Sequence, residues 1–299
     1  MRRLSERPVI RLVATDLDHT LLRGDRTVSD RTVAALRSAR RAGITVVPVT
    51  ARNVVGVRAV NARTGFDWWA VCGNGAYAVH LGTSDDRSAE PLFATAATPD
   101  ALRRVVATVR AGFPRACFAA VRECGARFIA EDDYAALASA TDHSRDPASM
   151  ERATVDDLVD APAVKLVFRD PDVPVDVLFD KVSALLAVRA EDTGVELTMS
   201  GAPFVELMAA GVSKATGLAR LCSHLGVEPG EVLAVGDGLN DIPMLRWAGR
   251  GVAVANAGPD VRAAADEVTA AADDDGVAVL LEGLSAQFSD SAAAPPRSS

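Results

Sequence analysis

Strand and helix signals alternate through the first part of the chain, break off near residue 83 and resume after residue 206, and this interrupted rhythm limits the fold more than any other feature. Val9–Leu17 predicts a strand, because a mainly apolar, β-branched run bounded by polar residues suits a strand covered on both faces. Ser29–Ala42 predicts a helix with Ser29 at its N-cap, and Ile44–Thr50 a second strand after Gly43, so a βαβ unit opens the chain. A helix is expected from Asn53. Ala70-Val71-Cys72 and Ala76-Tyr77-Ala78-Val79 flank Gly73-Asn74-Gly75, and the Asn-Gly step predicts a hairpin.

The polar cluster Gly82-Thr83-Ser84-Asp85-Asp86 marks a linker, after which irregular strands mix with two helices. Thr98-Pro99 supplies an N-cap and first residue, and Leu102, Val105, Val106 and Val109 follow at helical spacing; Leu178, Val182, Leu185 and Leu186 form a second apolar stripe. Both stripes are expected to be core. Strands are expected at Ala116–Val121, Arg127–Ala130 and Val164–Phe168, with a loop over Thr141–Arg152. After Val195–Met199 and Phe204–Met208 the rhythm returns: helix Lys214–Leu225, strand Val232–Val235, helix Ile242–Trp247, strand Gly251–Ala255 and a helix after Pro259. The division that follows is a core built from residues 1–82 and 207–288, an inserted α+β domain at 83–206, and a disordered tail over 289–299, rich in Ser, Ala and Pro. Asp273-Asp274-Asp275 is expected to be a solvated loop.

With 299 residues, 49% of them hydrophobic, the chain can bury two cores more naturally than one. A net charge of −8 argues against a polyanion-binding surface, so nucleic acid is not an expected partner and any phosphate is held locally. Cys72, Cys117, Cys124 and Cys222 show neither a Cys-x-x-Cys pair nor zinc-finger spacing, which predicts reduced thiols. The basic start Met1–Pro8 passes into an interrupted apolar strand without the features of a signal peptide, and no apolar stretch reaches spanning length. No membrane partner is expected, and the cytoplasm is the expected location.

Chemistry concentrates at strand ends. Asp16-Leu17-Asp18-His19-Thr20 places two carboxylates just beyond the first strand, where ligands of open α/β sheets collect. Two close carboxylates repel, and a hard divalent cation such as Mg²⁺ relieves that; on its own the pentapeptide is equally compatible with a solvated turn. Thr50-Ala51-Arg52 follows the second strand with a hydroxyl, a small residue and a guanidinium, an anion seat unless Thr50 is only a helix cap. Lys214 begins a helix, where a cation opposes the dipole unless an anion lies beside it; in isolation it would be a surface lysine. Gly236-Asp237-Gly238-Leu239-Asn240-Asp241 adds two carboxylates after another strand.

Together, in this order and spacing, these segments resemble the four motifs of the haloacid dehalogenase superfamily of phosphotransferases. The insertion between the second and third motifs, the Asn74-Gly75-Ala76 turn, Glu206-Leu207-Met208 before Gly211-Val212-Ser213-Lys214, Ala255-Asn256-Ala257 and Asp275-Gly276-Val277-Ala278 are similar to the Cof-type branch, with its type IIB cap. The resemblance implies an α/β fold with a Rossmann-like parallel-sheet core and a large inserted α+β cap domain. It implies Asp16 as nucleophile and Asp18 as general acid/base. Mg²⁺ would lie between Asp16, the main-chain carbonyl of Asp18 and Asp237, with Asp241 in support; Leu17, Thr50, Ala51, Lys214 and Asn240 would hold phosphoryl oxygens. Arg52 is placed either against the substrate or in an ion pair. His19 stands where many relatives carry Gly and is expected to be a turn residue.

The implied activity is Mg²⁺-dependent hydrolysis of a small phosphorylated metabolite, a sugar phosphate or phosphorylated cofactor, with the cap as lid and Arg122, Glu123 and Arg127 either near the substrate or on a solvated strand face. A sugar phosphomutase and a non-catalytic regulator are the alternatives. The intact set Asp16, Asp18, Lys214 and Asp237 speaks against the regulator.

Overall fold

Thr15 closes the first strand earlier than the apolar run suggests, because the chain turns immediately afterwards. In this computed structural model, which describes residues 9–66, 69–82, 91–143, 146–188 and 194–293, Asp16 is still extended and Leu17–Leu21 forms a wide helical turn sealed by the Leu22 amide on the Leu17 carbonyl at 2.7 Å. The strands of the described residues are β1 (Leu12–Thr15), β2 (Thr45–Pro48), β3 (Trp69–Cys72), β4 (Tyr77–His80), β5 (Phe93–Ala94), β6 (Cys117–Arg122), β7 (Arg127–Ala130), β8 (Glu151–Arg152), β9 (Lys165–Arg169), β10 (Val195–Thr198), β11 (Val205–Ala209), β12 (Val232–Gly236), β13 (Arg250–Val254) and β14 (Glu267–Thr269). Contacts group the chain into two compact units, one comprising Met1–Thr50, Ala59–Trp69 and Leu218–Ser299, the other Ala51–Arg58 and Ala70–Gly217.

The first unit holds a parallel sheet in the order β14-β13-β12-β1-β2. Leu12, Val13 and Ala14, and Val232 through Val235, are wholly buried, as a sheet covered on both faces requires. Pro48, which has no amide to give, lies on an edge strand. From β1 the chain proceeds outward to β2, whereas β12 leads the other way to β13 and β14. The strand order therefore reverses between β1 and β12, and the carboxyl ends of those two strands form a topological switch point, the place where open α/β sheets bind ligands. Helix Asp30–Arg41 begins as expected, with Ser29 accepting the Thr32 amide at 2.9 Å, and packs against Gly276–Ala293. That last helix runs past Ser289, where the tail was expected to begin; residues 294–299 of the tail, like Met1–Pro8 and most of the 82–86 linker, lie outside the described residues.

The acidic run at 273–275 is more than a solvated loop. Asp273 accepts the Gly24 amide at 2.8 Å, and Asp275 pairs with Arg23 at 2.9 Å. Burial alone would push the Asp275 carboxyl up, but hydrogen bonds from Ser29 and Arg23 and the charges of Arg23 and Arg31 outweigh it and hold it below the usual carboxylate range. The run thus fastens the loop that follows Leu22.

In the second unit a six-stranded sheet runs β10-β11-β9-β6-β7-β8, antiparallel except at β7–β8. Helices Pro99–Gly112 and Val175–Val188 pack together, Thr98 capping the first through the Ala101 amide at 3.3 Å. Leu102, Val105, Val106 and Val109 are buried as expected; in the second helix Leu178 and Val182 are buried, but Leu185 is 40% exposed. The expected loop over Thr141–Arg152 contains a helical turn ending at His143, a short turn Pro147–Ser149 and strand β8. His143, half-buried, stacks on Phe204 and bonds Tyr134 at 2.8 Å, so it serves packing. Arg122 reaches Asp160 at 2.8 Å and the carbonyls of Asp157, Leu158 and Ala161, and Arg127 pairs with Glu151 at 2.6 Å; both stitch the inserted fold. All four cysteines are free, and burial pushes the thiols of Cys117 and Cys222 up to about 11 and about 12.

Candidate active site

β1 and β12 are register partners from Leu12 with Val232 to Thr15 with Val235, and the Asp16 amide continues the ladder to the Val235 carbonyl at 3.0 Å. This register brings the residues that follow each strand to adjacent strand ends, which lie about 4.8 Å apart in a sheet. Asp16 emerges from β1 and Asp237 from β12, and Asp241 returns from the turn Leu239–Asp241. Each offers a carboxylate oxygen, and the three oxygens lie within 4.8 Å of one another. Asp16 is 7% exposed and Asp241 fully buried.

Asp241 is held from within its own loop, its Oδ2 accepting the Asp237 amide at 3.0 Å and the Gly238 amide at 2.9 Å. That fold-back requires Gly236, since a Cβ there would stand 2.4 Å from the Asp241 carboxyl carbon. Asp237 is fixed from the first motif: Thr20 Oγ1 donates to its Oδ1 at 2.6 Å. Sequence reasoning gave Thr20 no role, and the only signal was its place in the turn that opens at Asp16. Asn256, noted only as part of a resemblance, donates to the His19 carbonyl at 2.8 Å and accepts the Ala272 amide at 2.8 Å, which ties that turn to the loop after β13. His19 adopts φ +57°, the left-handed conformation that glycine takes without strain.

Like charges repel strongly here. At 4 Å two carboxylates oppose each other by about 4 kcal/mol at an effective dielectric of about 20. Three carboxylate oxygens so grouped match the ligands of a hard divalent cation and not those of a soft metal.

The remaining expected residues fall into both units. In the first, Leu17 and Asp18 sit in the turn after β1, the half-buried Asn240 in the turn after β12, and the buried Thr50 just past β2, so all occupy carboxyl ends of adjacent strands β2, β1 and β12. In the second, the Ala51 carbonyl accepts Lys165 Nζ at 3.0 Å and the Arg52 carbonyl accepts the Gly73 amide at 3.0 Å. The Arg52 stem lies along helix Val54–Thr64, 3.4 Å from where a Gly56 Cβ would stand. Lys214 opens helix Lys214–Leu225 and is 1% exposed, which removes it from the class of surface lysines.

The model of the haloacid dehalogenase-like hydrolase family matches residues 13–281. The chain belongs to that family. As a haloacid dehalogenase-like hydrolase it is 26% identical to a putative phosphatase of Haemophilus influenzae over 90% of its own length and 96% of the relative's. A shorter match, 35% identical over 129 residues, joins 42% of the chain to 21% of the Arabidopsis thaliana protein named endoribonuclease YBEY, chloroplastic. The solved structure of the phosphatase BT1666 from Bacteroides thetaiotaomicron superposes with a TM-score of 0.75 at 25% identity, covering 95% of this chain and 99% of that one. The subclass IIB sugar phosphatase BT4131 has the same fold, with a TM-score of 0.73 at 20% identity over 92% and 99% of the two chains. The α/β class, the parallel-sheet core and the inserted cap of this haloacid dehalogenase-like hydrolase are therefore those of the family. No helix among the described residues is long and apolar enough to cross a membrane.

Proposed function

We propose that this hydrolase is a Mg²⁺-dependent phosphatase that cleaves a small phosphorylated metabolite, a sugar phosphate or phosphorylated cofactor, through an aspartyl phosphate on Asp16. The observation that carries the reading is the meeting of Asp16, Asp237 and Asp241 at the switch point, with Asp18 two residues beyond the nucleophile.

Asp16, the Asp18 carbonyl and Asp237 would hold the cation, with Asp241 alongside. When bound, the cation supplies positive charge that lets an anionic carboxylate approach an anionic phosphate. An Asp16 oxygen attacks phosphorus in line as the bond to the ester oxygen breaks, and the Asp18 carboxyl gives its proton to the departing alkoxide. The Asp18 carboxylate then takes a proton from water, whose oxygen attacks phosphorus; the bond to Asp16 breaks and inorganic phosphate leaves. Thr50, Asn240, Lys214 and the amides of Leu17 and Ala51 are assigned to the phosphoryl oxygens, where preformed donors stabilise charge that moves during transfer. Arg52 is assigned to the rest of the substrate.

The test is a phosphate-release screen across phosphorylated metabolites with and without Mg²⁺, comparing wild type with Asp16→Asn. Release that needs Mg²⁺ and vanishes in a folded Asp16→Asn variant is expected. Wild-type rates in that variant, or in chelator, would overturn the mechanism, and isomerised sugar phosphate without release would identify a phosphomutase.

A further inference from the structure

Lys165 and Glu206 are charged, buried, and used by no step above. Lys165 Nζ lies 2.5 Å from Glu206 Oε1, with the two residues 7% and 1% exposed. In the register of β9 and β11, Glu206 faces Val167, so Lys165, two residues earlier, leaves the same side of the sheet as a diagonal neighbour. Burying such a pair costs both ions their hydration, and an apolar pair of similar volume is commonly as stable or more so. A buried ion pair is thus poorly explained by stability alone.

What the pair touches gives a better account. Lys165 Nζ also donates to the Ala51 carbonyl at 3.0 Å, and the other Glu206 oxygen accepts Asn74 Nδ2 at 2.8 Å. Asn74 is the centre of the turn Gly73-Asn74-Gly75, all three residues at positive φ, and the Gly73 amide donates to the Arg52 carbonyl. Successive carbonyls of the second motif, at 51 and 52, are therefore held from one assembly, by Lys165 and by the turn that Glu206 anchors. The same turn presses on the third motif: a Cβ at Gly75 would stand 1.9 Å from the Ser213 carbonyl, the residue before Lys214.

We propose that Lys165, Glu206 and Asn74 form a positioning relay that sets the main chain of Ala51 and Arg52, and with it the orientation of the donors this segment offers to phosphate. The relay rests on the reading of that segment as part of the phosphate seat. Lys165 and Glu206 are positioning residues, acting through the backbone they hold.

Lys165→Met strands a buried carboxylate and is expected to lower both activity and stability. The deciding variant is Lys165→Met/Glu206→Leu, which leaves no unpaired charge yet still deprives Ala51 O of its donor. With p-nitrophenyl phosphate and Mg²⁺, the double variant is expected to recover most of the thermal midpoint while losing about tenfold in kcat, with KM little changed and orthovanadate inhibition weaker by a similar factor. Amides of residues 51–54 are expected to exchange faster with deuterium, while those of β6 keep their protection. A folded double variant with kcat/KM within about twofold of wild type, or with unchanged exchange at 51–54, would overturn the relay. Should the double variant not fold, Asn74→Ala carries the same measurements, since it releases one Glu206 oxygen without changing charge. A wild-type protein that releases no phosphate from any substrate defeats the proposed function, and the exchange measurement then decides the relay by itself.

Discussion

Thr20→Val removes one hydroxyl from the candidate centre and almost nothing else, because valine has threonine's shape and the site is buried at 1% exposure. The lost interaction is the 2.6 Å bond to Asp237 Oδ1. A hydrogen bond to a charged group contributes about 1.5–3 kcal/mol. Asp237 is half-buried, so water can take over part of the lost bond, and the low end, about 1.5 kcal/mol, applies. Because Asp237 is assigned to the cation and Thr20 orients it, the loss should fall mainly on cation affinity: the Mg²⁺ concentration for half-maximal phosphate release rises about tenfold, within the range seen when a ligand loses its outer partner. Rate at saturating Mg²⁺ should change little, and Thr20→Ser, which keeps the hydroxyl, should stay near wild type. Initial rates against free Mg²⁺ for the three proteins decide the matter. A folded Thr20→Val enzyme with an unshifted midpoint would refute the argument that Thr20 orients a metal ligand.

Two further outcomes follow from the same neighbourhood. His19 at φ +57° predicts that His19→Gly is neutral to about 0.5 kcal/mol stabilising whereas His19→Val costs about 1–2 kcal/mol, measured by urea unfolding; equal stabilities would contradict the left-handed turn. The Asp275 carboxyl is held low in the folded state, so its contribution is complete above the unfolded value near 3.9 and is lost as pH falls through the folded one; Asp275→Asn should lower stability by about 1 kcal/mol at pH 7 and by progressively less below about pH 4, and a gap independent of pH would count against the Arg23 pairing.

Much of the site was legible because it is written in short segments. Asp16 and Asp18 after one apolar run, and Asp237 with Asp241 after another, are local patterns of strand, tight turn and carboxylate. Lys214 stood out because a cation at a helix start is electrostatically odd, and the structure buries it instead of leaving it on the surface. Leu185, by contrast, satisfied the apolar spacing and is nonetheless exposed, since periodicity finds a face but not how much of it the neighbouring helix covers. Arg122 and Arg127 read as either substrate contacts or solvated strand residues, and both prove to be engaged with acids or carbonyls of the inserted unit.

The sequence by itself determined the βα rhythm of the first unit, the helix caps at Ser29 and Thr98, and which strand ends carry acid. These depend on side-chain period and on turn chemistry within a few residues. Only the tertiary structure decided that Thr20 serves Asp237 across 217 residues, that Asp275 fastens the loop at Arg23, and that Lys165 and Glu206 converge on Ala51. Such pairings are set by strand register and by burial, which make a charged group costly unless a partner distant in the chain arrives beside it, and no local pattern records which partner that is.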